Sequence, residues 1–206
     1  MKAGNVIVIK KICVFCGSRP GVKEEYVKAA HLLGESLARS GTELIYGGGN
    51  VGIMGEIANS VLSGGGRVTG VIPKTLVDKE LAHRNLTELR VVKTMHERKA
   101  LMSELSDAFI ALPGGIGTLE EFFEVLTWAQ LGFQKKPCAL LNIAGYYDHL
   151  IAFIDKMVED RFLDDNHRGL MIIENDPRII IEKVKDFKSV NTEKWLNEFN
   201  LNRNDY

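Results

Sequence analysis

The 206-residue chain predicts an α/β fold, a single doubly wound, Rossmann-like domain whose mostly parallel sheet is flanked by helices. Three observations predict it. Short apolar runs alternate with stretches of helical period, the pattern of right-handed βαβ crossovers. Three of the strand ends are glycine-rich, at 16–21, 46–55 and 112–118. No repeat, low-complexity run or linker breaks the alternation, so residues 1–190 read as one domain. The polar segment 191–206 reads as a C-terminal helix or tail.

The elements follow in chain order. "VIVIKKICVFCGS" (6–18) is the first strand; Lys10 and Lys11 interrupt its apolar run and no small-residue cleavage site follows, which argues against a signal peptide. A helix over about 22–39 leads to the strand "TELIYGGG", and a helix from about Gly52 to Leu62 to the strand "RVTGVIP". A longer loop reaches "LTELRVV". Thr94 to Ser106 has helical period, "DAFIALPGG" is a strand, and a helix from about Thr118 to Leu131 precedes the strand "PCALLNI". A helix near 147–159, the short strand "LMIIE" and a helix after Pro177 complete the domain.

Composition excludes several classes. Lys and Arg total 26 against 27 acids, a net charge of -1 with no basic stripe, so no nucleic-acid partner is expected. No apolar run approaches the roughly 18 residues of a membrane span, so no membrane is expected and the chain reads as cytoplasmic. Cys13 and Cys16 form a CxxC, but strand residues three apart point to opposite faces, which makes them buried free thiols rather than a redox or zinc pair. The five histidines show no ligand spacing, and neither a metal nor a cofactor is expected.

Glycine-rich turns at the carboxyl ends of parallel strands, where the strand order reverses, are where such folds take anionic ligands. "GGGNVG" contains GxGxxG at Gly47, Gly49 and Gly52, but the next strand ends in Pro73 and Lys74, and the first acid beyond, Asp78, lies in a loop. A dinucleotide fingerprint needs an acid at that strand end. "GGIGT" lacks the lysine of a Walker loop. A mononucleotide suits these glycines better, with Gly48, Gly49, Gly114, Gly115, Ile116, Gly117 and Thr118 as the backbone that approaches phosphate.

Two side chains carry the chemistry. Thr118 and Glu121 have capping-box spacing, so Glu121 either reaches back to its own helix start or faces a ligand. Glu120 lies about 100° around the helix from it, while Glu124 shares its face. Arg98 falls in an apolar stripe with Met95, Met102 and Leu105, with Lys99 at the edge. It either snorkels to water or meets an anion, because an unpaired buried charge is costly. A carboxylate beside a phosphate cradle is the arrangement for glycosidic cleavage, whose oxocarbenium-like transition state a carboxylate stabilises or attacks.

"PGGIGTLEE" (113–121), "MHERK" (95–99), "GGGNVGIMG" (47–55) and "CVFCGSRPG" (13–21) together resemble the motifs of the Lonely-guy (LOG) family, cytokinin riboside 5′-monophosphate phosphoribohydrolases. The resemblance extends to roughly residue 185. It implies hydrolysis of N6-substituted adenosine monophosphates to free base and ribose 5-phosphate, with catalytic roles for Arg98 and Glu121 and phosphate contacts from Gly114 to Thr118. It also implies a homodimer with sites near the subunit contact. On this reading Ser18 and Arg19 touch sugar or base, Lys99 assists Arg98, and Met95, Leu112 and Met102 either line a base pocket or belong to the core. A broader purine nucleotide nucleosidase and a non-catalytic nucleotide or cofactor carrier are the alternatives. A lysine decarboxylase label attached to similar sequences finds no Schiff-base lysine site here.

Overall fold

A computed structural model describes residues 8–79 and 81–188; the expected tail at 191–206 lies outside the described residues. Seven strands of the described residues form one sheet: β1 (Lys11–Phe15), β2 (Glu43–Tyr46), β3 (Val68–Pro73), β4 (Glu88–Val92), β5 (Ala108–Ala111), β6 (Cys138–Leu141) and β7 (Met171–Glu174). The order is β4-β3-β2-β1-β5-β6-β7, and every pairing is parallel. Eight α-helices flank them among the described residues: α1 (Glu24–Arg39), α2 (Gly52–Ser63), α3 (Lys74–Val77), α4 (Met95–Leu105), α5 (Ile116–Gln130), α6 (Asp148–Glu159), α7 (Asp165–Arg168) and α8 (Ile180–Lys185). The short helices α3 and α7 have too few residues for a periodic signal and escape the sequence reading.

Strand alternation builds the two layers. Ile12, Val14, Leu44, Tyr46, Ala108 and Ile110 face one core with Leu33 of α1, Ile57 of α2 and Ile180 of α8. Cys13, Phe15, Ile45, Phe109 and Ala111 face the other with Met102 of α4, Phe122 of α5 and Ile154 of α6. Buried on both sides, the central strands read as unbroken apolar runs. The same alternation puts Cys13 and Cys16 into opposite cores, and all three cysteines are free and buried. Among the described residues no helix is long and apolar enough to cross a membrane, and no cluster of His, Cys, Asp and Glu could hold a metal ion.

The chain leaves β1 toward β2, β3 and β4, then returns to the opposite side of β1 through β5. The switch point therefore lies between β1 and β5, whose register pairs Phe15 with Ala111. The loops leaving these two strands meet there, and the Gly17 amide donates to the Pro113 carbonyl at 3.1 Å.

Candidate active site

A cavity of about 380 Å³ opens at this switch point, lined by Gly17–Gly21 from the β1 loop, Tyr26, Ile53, Pro113–Gly115 and Tyr146. It contains two of the three glycine-rich turns. Ser18 and Arg19 are exposed on its wall. The α2 start packs so closely behind them that a side chain at Gly52 (φ +57°) would collide with the Ser18–Arg19 backbone.

The β5–α5 turn sorts its glycines by purpose. A Cβ on Gly114 would strike Thr118 and come within 2.9 Å of the Gly17 nitrogen, so the fold itself needs glycine there. Gly115 and Gly117 have no neighbour within 4 Å of an added Cβ, and neither has positive φ. The fold does not require glycine at these two positions; its effect is open space at the start of α5. No backbone acceptor among the described residues takes the amides of Gly115, Ile116, Gly117 or Thr118, and the first bond of the helix runs from Leu119 to the Gly115 carbonyl at 3.2 Å. A helix start of this kind offers several N–H groups and a positive dipole end to an anion.

Helix α5 begins at Ile116 with Gly115 as N-cap and no side-chain cap. The Thr118–Glu121 capping box is therefore absent: Thr118 is buried in the first turn and Glu121 turns elsewhere. A capping arrangement with the same T-x-x-E spacing occurs at α4 instead, where Thr94 accepts from the Glu97 amide at 3.1 Å and Glu97 accepts from the Lys93 amide at 2.8 Å.

Glu121 is held by Arg98. Arg98 Nη1 donates to Glu121 Oε1 at 2.7 Å, Nε to the Val71 carbonyl at 3.1 Å and Nη2 to the Gly47 carbonyl at 3.3 Å. The guanidinium thus joins α4, β3, α5 and the β2 loop, and the buried anion it meets is a protein carboxylate. Glu121 Oε2 has no hydrogen-bond partner among the described residues. Burial holds the Glu121 carboxyl above its ordinary pKa; Arg98 and Lys99 pull it down, and Glu120 and Glu124 push it up. By helical rise Glu121 stands roughly 7 Å along the axis from Ile116, a turn beyond the cavity rim, which it does not line.

The other expected residues separate. Lys99 is tied to Glu120 and, at 2.9 Å, to Glu124, which raises its pKa; it braces α4 on α5. Met102 and Leu112 are core, so the structure removes them from any base pocket. Met95 and Ile116 are exposed at the starts of α4 and α5. Gly48 and Gly49 are buried and do not line the cavity: the Gly48 carbonyl accepts from the His83 amide at 2.9 Å, and the Gly49 carbonyl from Tyr46 Oη at 3.1 Å. Gly47, the first glycine of the GxGxxG pattern, has a further purpose: a Cβ there would lie 1.9 Å from Arg98 Nη2, so this glycine makes room for the guanidinium. Tyr26, Ile53 and Tyr146 also line the cavity, and no local sequence pattern marks them, since each reaches the site only through the fold.

The family model described as "Possible lysine decarboxylase" matches residues 54–184. The cavity lining contains no lysine, and the Lys99 ammonium is engaged by two carboxylates, so these residues do not fit the Schiff-base site of pyridoxal phosphate. The probable cytokinin riboside 5′-monophosphate phosphoribohydrolase LOGL9 of Oryza sativa subsp. japonica is 50% identical over 88% of this chain and 80% of its own length. The cytokinin riboside 5′-monophosphate phosphoribohydrolase LOG4 of Arabidopsis thaliana is 50% identical over 86% of this chain and 82% of its own. Among solved structures, the molybdenum cofactor binding protein of Rippkaea orientalis superposes with a TM-score of 0.66 at 24% identity, covering 87% of this chain and 97% of that one, a likeness of fold alone. The chain belongs to the LOG family.

Proposed function

We propose that the chain is a phosphoribohydrolase that cleaves the N-glycosidic bond of adenosine 5′-monophosphates, N6-substituted ones included, to free base and ribose 5-phosphate. The relatives that carry this activity in their names are about half identical to it over most of its length. The observation that supports the reading best is the buried Arg98–Glu121 pair one turn beyond an open, glycine-lined helix start. A carrier needs only the helix start.

On this reading the 5′-phosphate sits at the amides of Gly115–Thr118, with Ser18 and Arg19 on the facing wall. Glu121 Oε2 faces C1′. As the C1′–N bond breaks, its electron pair leaves with the base, which takes up a proton from solvent, and positive charge grows on the sugar. The carboxylate stabilises that charge and orients the water that adds to C1′; the water's second proton goes to solvent. Arg98 keeps Glu121 ionised and aimed, because its charge favours the carboxylate form. Lys99 supports the pair by tying α4 to α5 through Glu120 and Glu124.

The proposal includes a homodimer in the cytoplasm. Its support is the pair of exposed apolar side chains, Met95 and Ile116, at 46% and 84% exposure beside the site, a face suited to a second copy. Light scattering on the purified protein tests the dimer. Incubation with isopentenyladenosine 5′-monophosphate and with AMP, with products separated by chromatography, tests the reaction. Free base and ribose 5-phosphate from wild type but not from Glu121→Gln are expected; nucleotide binding without product would leave the carrier reading.

A further inference from the structure

Three consecutive carbonyls in the β5–α5 turn are each held by a donor from a different place. Leu112 accepts from Tyr147 Oη at 2.7 Å, Pro113 from the Gly17 amide at 3.1 Å, and Gly114 from Tyr146 Oη at 2.5 Å. Tyr147 is core, and its hydroxyl satisfies a buried strand end. Tyr146 is different: it is 42% exposed and forms part of the cavity wall.

Much of the structure after β6 serves to place that hydroxyl. Asn142 Oδ1 accepts from the Tyr147 amide and its Nδ2 donates to Asp148, both at 2.7 Å. Ala144 (φ 50°) and Gly145 (φ 72°) take left-handed conformations to complete the turn, a costly one for alanine. The Tyr146 ring then packs edge-on against Tyr26 at 5.5 Å and Tyr147 at 4.8 Å. Rings gripped from two sides have little rotamer freedom, so the hydroxyl has one position.

The carbonyl of Gly114 and the N–H of Gly115 belong to one planar peptide and point in opposite directions. Between two glycines such a peptide turns over easily, because neither residue has a Cβ to restrict it. Turned over, it would aim a carbonyl oxygen where the N–H now points and repel an anion at the helix start. The Tyr146 hydroxyl holds it in the present orientation.

We propose that Tyr146 is a positioning residue for phosphate recognition, its hydroxyl locking the Gly114–Gly115 peptide so that the Gly115 amide is presented to the phosphomonoester of the substrate. This rests on the reading that the start of α5 takes the nucleotide's phosphate. The effect belongs to binding, because the locked amide meets a group that does not change in the reaction, so uniform binding is what it supplies.

The test compares wild type, Tyr146→Phe and Tyr146→Ala by hydrolysis of AMP and by calorimetric titration with ribose 5-phosphate. Loss of one neutral hydrogen bond corresponds to about a three- to ten-fold change. Tyr146→Phe should raise KM and weaken ribose 5-phosphate by that factor, with kcat unchanged. Titration with unphosphorylated ribose should show no difference between the two proteins. If Tyr146→Phe matches wild type and only Tyr146→Ala loses affinity, the ring and not the hydroxyl matters, and the proposal falls. A fall in kcat at constant KM overturns it as well. If wild type binds ribose 5-phosphate but hydrolyses neither nucleotide, the phosphoribohydrolase reading fails while the titration still decides the role of Tyr146.

Discussion

Arg98 Nη1 lies 2.7 Å from Glu121 Oε1, and the two side chains retain only 9% and 11% of their solvent exposure. A buried pair of this kind costs desolvation that its own attraction barely offsets, so it is weak evidence for stability. What it does secure is one orientation of the carboxylate. Glu121→Gln keeps the shape and an acceptor for Arg98 but loses the charge. The expected outcome is a folded protein that still binds AMP, with kcat lower by about 10²–10³-fold, the range for loss of one group that stabilises developing charge. Steady-state kinetics and a binding titration on the same preparation check both halves.

The pH profile follows from the same contact. Activity on the proposed reading needs Glu121 ionised, so it rises with pH through the Glu121 pKa, which burial holds above the ordinary carboxylate value. Arg98 lowers that pKa. Arg98→Met removes the lowering influence, and the acidic limb of the residual activity should therefore move to higher pH. An unmoved limb would mean that it reports some other group. The same substitution leaves a buried carboxylate without its cation, which costs about 3–5 kcal/mol, visible as a lower denaturant midpoint.

Two alanine substitutions should move stability in opposite directions. At Gly47 the backbone can accept alanine, but the new methyl would displace Arg98 Nη2. Gly47→Ala should therefore lower both stability and kcat. At Gly117 the methyl meets nothing within 4 Å, and alanine is the better helix former by up to about 1 kcal/mol. Gly117→Ala should melt at a higher temperature and bind AMP more weakly, because the space it fills is the space left for the ligand. Thermal melts beside AMP titrations decide it; a Gly117→Ala protein with wild-type affinity would place the phosphate elsewhere.

His83 sets an acid limit on the fold. It is buried, its Nδ1 accepts from the Asn85 amide at 3.2 Å, and its Nε2 faces Asn59 Oδ1 at 3.0 Å, so the neutral ring carries its proton on Nε2. Burial lowers its pKa from 6.5. A lowered histidine binds its proton more readily in the unfolded chain, so stability is full above pH 6.5 and declines as pH falls through the folded value. Denaturant midpoints between pH 7.5 and about 5 should show this slope, and His83→Gln should flatten it.

The layering was legible because buried parallel strands announce themselves as apolar runs and amphipathic helices by period. Helix starts were less so: α5 begins two residues before Thr118, since Gly115, which lacks any side-chain cap, serves as its N-cap. Arg98 and Glu121 could be singled out because each breaks a local rule, a cation in an apolar stripe and an acid behind a phosphate turn. Their pairing could not, for it depends on α4 and α5 lying side by side across the β1–β5 region. Lys99 was read toward the ligand, and only the packing of α4 on α5 delivers it to Glu120 and Glu124. Tyr146 offered no sign at all; a tyrosine after a strand gains meaning only when the turn at Ala144 and Gly145 directs it to Gly114.

The three thiols give the molecule a built-in clock. Cys13 and Cys16 bracket the end of β1 and Cys138 opens β6, each buried, with the Cys138 thiol pushed up to about 12 and the other two also raised by burial. A thiol so protected reacts with an alkylating reagent only when its surroundings open. The rate at which label enters Cys16, one residue before the Gly17 tie to Pro113, therefore times the parting of the two halves of the sheet at the place where a nucleotide would hold them together. Ligand that slows labelling at Cys16 more than at Cys138 would report occupancy of the switch point without any turnover.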